Sequence, residues 1–181
     1  IRPLFPKDLR NDCSVVATVM SVDPDCSPEI AAMIGVSTAI AISDIPWDGP
    51  ISGVNVGLVD GEIVLNPTLE QRAKTDLNLT VASTADLVAM IEAGGNEISD
   101  DLMFDCIMAG HEENKKIVKF IQGIVDEIGK PKFAYESSDP DPDIMKEIED
   151  FCIEDVKKAL DTDDKLVRDE ALLPIYEAVH E

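Results

Sequence analysis

The sequence predicts an α+β fold that is followed by an all-helical segment, and three observations support this. The first half contains short stretches rich in valine and isoleucine, separated by residues typical of turns. From Ile98 onward the apolar residues recur every three to four positions, which is the period of an α-helix. A loop rich in proline, serine and aspartate, residues 131–142, divides the helical half.

The first two predicted elements are a strand and a helix. Residues 13–22 are rich in valine and threonine and end at the turn formed by residues 23–25, so we expect a buried strand. A helix then begins at the N-cap Ser27, with a proline and a glutamate in its first turn, and runs to about Ser43. Since its residues are apolar almost all round, we expect this helix to lie inside the protein.

A β-hairpin follows the proline-rich loop after this helix. The apolar stretches 54–59 and 62–65 flank Asp60-Gly61, a strong hairpin signal. Leu77, Leu79 and Val81 alternate with polar residues and predict another strand, and residues 87–91 predict one more.

The helical half is predicted to contain four helices. The first two meet at Gly110, with Leu102, Cys106 and Ala109 marking one helix and the isoleucines up to Ile128 the other. Beyond the 131–142 loop, two further amphipathic helices carry many acidic residues. We therefore expect a first domain over residues 1–130 and the start of a helical domain over residues 131–181.

Composition restricts the function. The net charge of -22, from 15 basic and 37 acidic residues, disfavours non-specific attraction to phosphate backbones. Four cysteines without a C-x-x-C pair argue against a disulfide framework and a zinc site, and favour reduced thiols. Without an apolar stretch of about 18 residues or a secretory leader, we expect a soluble, cytoplasmic protein with no membrane partner.

Three local motifs could suggest a site, and none is sufficient. His111-Glu112-Glu113-Asn114-Lys115 has a lysine where a zinc helix needs its second histidine, so we interpret His111 as a histidine at a helix start. The acidic runs 139–143 and 161–165 do not fit the spacing of a calcium loop. The backbone N–H groups around Cys26-Ser27 could hold a phosphate, but nearby carboxylates would repel it.

Four longer strings carry a family resemblance. They are RPLFPKDLRND (residues 2–12), VVATVMSVDPDCSPEIAAMIGVSTAIAISDIPWDGPI (15–51), GEIVLNPT (61–68) and LMFDCIMAGHEENKKIVKFI (102–121). In this order they resemble bacterial polynucleotide phosphorylase, in the latter part of its first RNase PH-like core and the helical region after it. The resemblance implies an RNase PH-like mixed sheet with packed helices, here an incomplete first core.

The resemblance also implies an activity. Members of this family are processive 3′ to 5′ exoribonucleases that use phosphate to release nucleoside diphosphates, and they can run in reverse as RNA polymerases. A homotrimer encloses the RNA channel, and each subunit carries two RNase PH-like cores. The chain would then be an interior piece of such an enzyme, whose RNA turnover could involve further degradation machinery.

The family's catalytic residues do not carry over to this sequence. Cys26-Ser27-Pro28 stands where the active second core has a serine-rich phosphate turn, and Asn78 and Arg72 stand where that core has two aspartates. Neither Asn78 nor Arg72 can replace a carboxylate that binds magnesium or acts as a general acid. The resemblance therefore implies no catalytic, phosphate-binding or metal-binding residue and no cofactor here, with magnesium held in the second core. Arg2 matches an arginine beside the RNA path and is a candidate RNA contact; a structural role beside the prolines is the alternative.

Two other functions and one liability remain open. The acidic helical half could be a protein-docking module that uses Ile144, Ile148, Phe151 and Val156. The chain could also be an active enzyme with a divergent site. If it lacks strands that normally precede it, unpaired strand edges would favour dimers or a domain swap.

Overall fold

A computed structural model describes residues 1–180 and divides the chain into two compact units. Unit 1 comprises Ile1–Glu136, and unit 2 begins at Ser137. Unit 1 holds a four-stranded sheet with two long helices, and unit 2 is helical. The predicted α+β class is confirmed, while the domain boundary after residue 130 stays a prediction.

The sheet of unit 1 is antiparallel throughout, with the strand order β2-β1-β3-β4. Its strands are β1 (Ser52–Val59), β2 (Glu62–Leu65), β3 (Leu77–Ser83) and β4 (Val88–Gly95). The predicted hairpin is confirmed, because Val59 pairs with Glu62 across the turn. Asp60 and Gly61 have positive φ angles of 53° and 82°, which an Asp-Gly pair tolerates well.

The long helix α3 (Asp100–Ile128) covers the apolar face of β1 and β3. The prediction of two helices that meet at Gly110 is wrong, since α3 continues through this residue. A Cβ atom at Gly110 would lie 3.0 Å from Cγ2 of Val81 and 3.1 Å from Cγ2 of Val56. The glycine therefore allows the helix to approach the sheet closely instead of ending the helix.

Helix α1 (Pro28–Ile42) contacts β1 and α3, and only one side of it is buried. Met33 packs directly over Gly53 of β1. The prediction that the helix is enclosed on all sides is wrong, because Ala31, Gly35 and Ala39 are exposed. These small residues form a stripe at four-residue spacing that the rest of unit 1 does not cover.

Residues 13–22 do not form the predicted strand, and they are exposed instead of buried. They run along unit 1 outside any helix or sheet of the described residues. The physical reason is that a strand needs a neighbouring backbone, and the four-stranded sheet does not extend to this segment.

Two smaller features complete the described fold. A short helix that sequence reasoning missed, α2 (Leu69–Arg72), begins with a capping box in which Thr68 and Gln71 bond each other's backbone. In unit 2, the two predicted acidic helices are confirmed as α4 (Pro142–Leu160) and α5 (Lys165–His180), which pack together.

Candidate functional site

The candidate site is an open cleft of about 610 Å³ between the start of α1 and the polar face of the sheet. The first turn of α1 forms one wall of the cleft. The sheet forms its floor, because alternate side chains of each strand point to the face of the sheet that lies toward α1. Its lining side chains come from α1 and from three strands, namely Ser27, Glu29, Ile30, Met33, Asn55, Asn78, Thr80 and Glu92.

A row of polar residues crosses the floor of the cleft. Asn55 of β1 pairs with Thr80 of β3, which in turn pairs with Glu92 of β4. The Thr80 hydroxyl donates a hydrogen bond to Oδ1 of Asn55 over 3.1 Å. Asn78 lies two residues before Thr80 on β3, on the same face of the sheet, and is exposed to the cleft.

The first turn of α1 contributes a hydroxyl and a carboxylate. Ser27 is the N-cap residue as predicted, but its hydroxyl donates to Oε2 of Glu29 at 2.6 Å and caps no backbone N–H group. This hydrogen bond is the main reason that the pKa of Glu29 lies below its usual value of 4.5, and a bond from the glutamate's own backbone N–H and the nearby Arg72 charge lower it further. The carboxylate therefore occupies the positive end of the helix dipole, where an anion would otherwise bind.

Arg72 holds the loop before α1 in place and does not line the cleft. Its guanidinium donates to the carbonyl oxygens of Pro24 and Pro67. The backbone N–H of Leu69 adds a hydrogen bond of 2.9 Å to Oδ1 of Asp25. These contacts join α2 to the turn at residues 23–26, so Arg72 positions the start of α1.

The chemistry of the cleft suits hydrogen bonding better than catalysis. Two carboxylates, Glu29 and Glu92, disfavour a phosphate group there. The amide of Asn78 is neutral at all ordinary pH values, so it cannot exchange a proton as a general acid. Among residues 1–180, no group of three or more histidine, cysteine or acidic side chains is arranged to hold a metal ion. Asn78 and Arg72, which stand where the resemblance places two aspartates, offer no carboxylate oxygen to a magnesium ion.

The structure places the candidate RNA contact, Arg2, away from this cleft. Arg2 lies in a short 3₁₀ helix, residues 2–4, and is exposed. It borders a different depression together with Phe5, Leu9 and Val15. The sequence-derived residues thus separate into Ser27 and Asn78, which share the cleft, and Arg2, which does not.

A buried polar cluster, which the sequence did not reveal, lies between α3 and the sheet. Nδ1 of His111 lies 2.9 Å from Oγ of Ser83, and Nδ2 of Asn114 donates to the carbonyl of Val81 over 2.9 Å. The interpretation of His111 as a helix-start histidine is wrong, because it lies in the middle of α3 and is buried. His111 and Asn114 lie three residues apart and therefore share one face of α3. This spacing, on the apolar side of a long helix, could have indicated that both residues are buried. Since Ser83 is fully buried, this serine–histidine pair supports the fold and offers no accessible nucleophile.

In unit 2, the four residues of the predicted docking stripe have different environments. Ile144 and Phe151 are exposed, whereas Ile148 and Val156 are half-buried.

None of the helices within residues 1–180 combines the length and apolarity that crossing a membrane requires.

One protein-family model matches part of this chain. The model of the 3′ exoribonuclease family, domain 2, matches residues 49–113, which include the whole sheet and the first half of α3. The matched region contains Asn55, Asn78 and Thr80 of the cleft but not Ser27, which lies upstream.

The chain is similar to proteins named polyribonucleotide nucleotidyltransferase. It is 57% identical to that of Ruminiclostridium cellulolyticum over 93% of the chain and 24% of the relative. It is 51% identical to the Clostridioides difficile protein, again over 93% of the chain and 24% of the relative. It is 49% identical to the Caldicellulosiruptor saccharolyticus protein over 99% of the chain and 26% of the relative. The chain thus spans about a quarter of the length of the curated relatives it matches.

A solved structure supports the fold. The crystal structure of rice (Oryza sativa) Rrp46 aligns with a TM-score of 0.51 and 17% sequence identity, covering 58% of this chain and 51% of that one. At this identity the match concerns the fold alone.

Proposed function

Because this chain belongs to the polyribonucleotide nucleotidyltransferase family over the segment that it spans, we propose that it is part of a phosphorolytic 3′ to 5′ exoribonuclease. Such an enzyme would shorten RNA with inorganic phosphate, release nucleoside diphosphates and act in cytoplasmic RNA turnover. The observation that carries the proposal is the 57% identity to a polyribonucleotide nucleotidyltransferase along nearly the entire chain.

Within that enzyme, we assign this segment a supporting role without its own catalysis. It would form the latter part of a first RNase PH-like core and the start of a helical domain, in a homotrimer around the RNA. The chemistry of the cleft favours this assignment, since Asn78 is an amide and the Arg72 guanidinium is bonded to two backbone carbonyls. Magnesium would bind in another part of the enzyme.

The first experiment tests the segment alone. The 181-residue chain is incubated with an RNA oligonucleotide, phosphate and magnesium, and nucleoside diphosphates are separated by chromatography. We expect none to form, while circular dichroism shows that the chain is folded. Release of nucleoside diphosphate would overturn the assignment of a silent cleft and support an active enzyme with a divergent site.

The second experiment tests the supporting role directly. The matching segment of the Ruminiclostridium cellulolyticum relative is replaced by this chain, and phosphorolysis of RNA is measured. We expect the chimera to retain most of the relative's rate and Asn78→Ala in it to have no effect. A chimera that assembles normally but is inactive would contradict the supporting role, and a large loss with Asn78→Ala would contradict the silent cleft.

The same chimera tests Arg2 as an RNA contact. We expect Arg2→Ala to raise KM for RNA several-fold with kcat nearly unchanged, since an exposed guanidinium would contribute binding to the RNA phosphates. Lys7→Ala, which removes another exposed cation of the same region, serves as the matched control. Equal effects of both substitutions would indicate general electrostatics instead of a specific contact.

A further inference from the structure

Residues 130–135, here called the strap, follow α3 and run along the end of α1 without forming a helix or strand. The backbone N–H of Lys130 donates to the carbonyl oxygen of Ile42 over 3.0 Å. The backbone N–H of Phe133 donates to the carbonyl oxygen of Asp44 over 2.8 Å. Two amides of the strap are therefore bonded to the stretch of chain at the end of α1.

Two side chains of the strap add contacts with residues that are distant in the sequence. The ammonium group of Lys132 donates to the carbonyl oxygens of Ala41 and Ser43 over 2.8 Å and 2.7 Å. The hydroxyl of Tyr135 donates to Oδ1 of Asp8 over 2.8 Å. Hydrogen bonds that include a charged group are stronger than those between neutral groups. The strap thus joins the end of α1 to the segment that contains Asp8.

The strap is attached mainly by polar contacts and buries little apolar surface. Its residues are exposed except for Tyr135, which is half-buried, whereas Val54 and Leu79 of the sheet are fully buried. Regions with few buried apolar contacts open at a lower free-energy cost than the core of the same protein. We therefore expect the strap to detach while the sheet and α3 stay folded.

The contacts of the strap should depend on one another. Phe133 and Tyr135 are two residues apart, so a docked Tyr135 keeps the Phe133 amide close to its acceptor. Such tethering raises the effective concentration of the second contact without any new interaction. Once Tyr135 separates from Asp8, the neighbouring hydrogen bonds lose this restraint and become weaker.

We propose that the strap docks and releases as one piece, and that this sets the length of free chain between the two units. With the strap docked, the connection to unit 2 consists of residues 136–141, which are exposed. Release adds the strap to this connection and roughly doubles its reach, since an extended chain spans about 3.3–3.6 Å per residue. The proposal does not rest on the proposed function, because no contact with RNA enters it.

Hydrogen exchange of the 181-residue chain, followed by NMR at the amides of Lys130 and Phe133, tests the proposal. Tyr135→Phe removes the hydroxyl and keeps the ring. We expect both amides to exchange about tenfold faster and by the same factor, because a hydrogen bond to a charged group is lost. The interior amides of β3 should keep their rates, and circular dichroism verifies that the variant is folded.

Tyr176→Phe is the matched control, because it removes the hydroxyl of an exposed tyrosine in α5. It should leave the exchange of both strap amides unchanged. Unchanged exchange in Tyr135→Phe, different factors at the two amides, equal acceleration in β3 or an equal effect of the control would each overturn the proposal.

Trypsin provides a second readout that reports on the strap directly. The enzyme must bind the side chain of Lys132, which is held by carbonyl oxygens while the strap is docked. Tyr135→Phe should therefore increase the initial rate of cleavage between Lys132 and Phe133 about tenfold. Cleavage after Lys165, in unit 2, should keep its rate and serves as the internal reference. An unchanged rate after Lys132 would contradict the release of the strap.

Discussion

Nζ of Lys132 lies 2.8 Å from the carbonyl oxygen of Ala41 at the end of α1, although 91 residues separate them in the sequence. The same ammonium group also donates to the carbonyl oxygens of Ile40 and Ser43. Carbonyl groups at the end of a helix lack partners within the helix, and a cation there also complements the helix dipole. Lys132 therefore joins the segment after α3 to the end of α1.

Removing this ammonium group should destabilise unit 1. We expect Lys132→Met to lower the free energy of unfolding by about 1.5 kcal/mol, since the charged donor is lost and the methylene chain is kept. Urea unfolding followed by the fluorescence of Trp47 measures this, because Trp47 is buried in a cluster with Ile40 and Ala41. Lys130→Met is the matched control and should change stability by less than about 0.5 kcal/mol. Equal losses in both variants would show that the hydrogen bonds of Lys132 to the end of α1 contribute nothing specific.

Two glycines of α3 should respond to alanine in opposite directions. Gly123 has open space where a Cβ would lie, so Gly123→Ala should stabilise the chain by up to about 1 kcal/mol through helix propensity. At Gly110 the added Cβ would press against Val81 and Val56, and Gly110→Ala should destabilise by about 1–2 kcal/mol. Thermal unfolding by circular dichroism compares the two variants. A stabilising Gly110→Ala would mean that the sheet can move away at little cost.

The buried amide of Asn114 should be important for stability. Its Nδ2 donates to the carbonyl of Val81, beside the irregular register between β3 and β4 at Ala82/Ser83. Asn114→Ala leaves this carbonyl without its donor and should cost about 2 kcal/mol in urea unfolding. Asn96→Ala removes an amide from an exposed hydrogen bond and should cost less than about 0.5 kcal/mol. A near-neutral Asn114→Ala would indicate that water replaces the amide.

The hydroxyl of Ser27 should control the titration of Glu29. Carbon-detected NMR should give Glu29 a pKa below 4.5, and Ser27→Ala should move it upward toward that value, since the hydroxyl bond is the largest cause of the shift. Because the pKa is lower in the folded than in the unfolded state, the interaction stabilises the fold above pH 4.5. This stabilisation is lost as the pH falls through the folded-state pKa. Ser14→Ala is the control and should leave the Glu29 titration unchanged.

The sequence pointed to two residues of the cleft only as positions where the expected catalytic groups are missing. Ser27 and Asn78 lie about fifty residues apart in the sequence, and both line the same cleft. The role of Arg72 in holding the loop before α1 was not predictable, because its partners are backbone carbonyls of Pro24 and Pro67. Any residue offers a carbonyl, so the sequence gives no sign of such contacts.

What the sequence determined by itself was local: the Asp60-Gly61 hairpin, the start of α1 at Ser27 and the long apolar stripe of α3 each depend on residues close together in the chain. Tertiary structure alone decided the state of residues 13–22, the passage of α3 through Gly110 and the burial of His111. The physical reason is that a strand exists only beside another strand, and a glycine or histidine in a helix has its environment set by the element packed against it. Those neighbours are distant in the sequence, and only the folded chain brings them together.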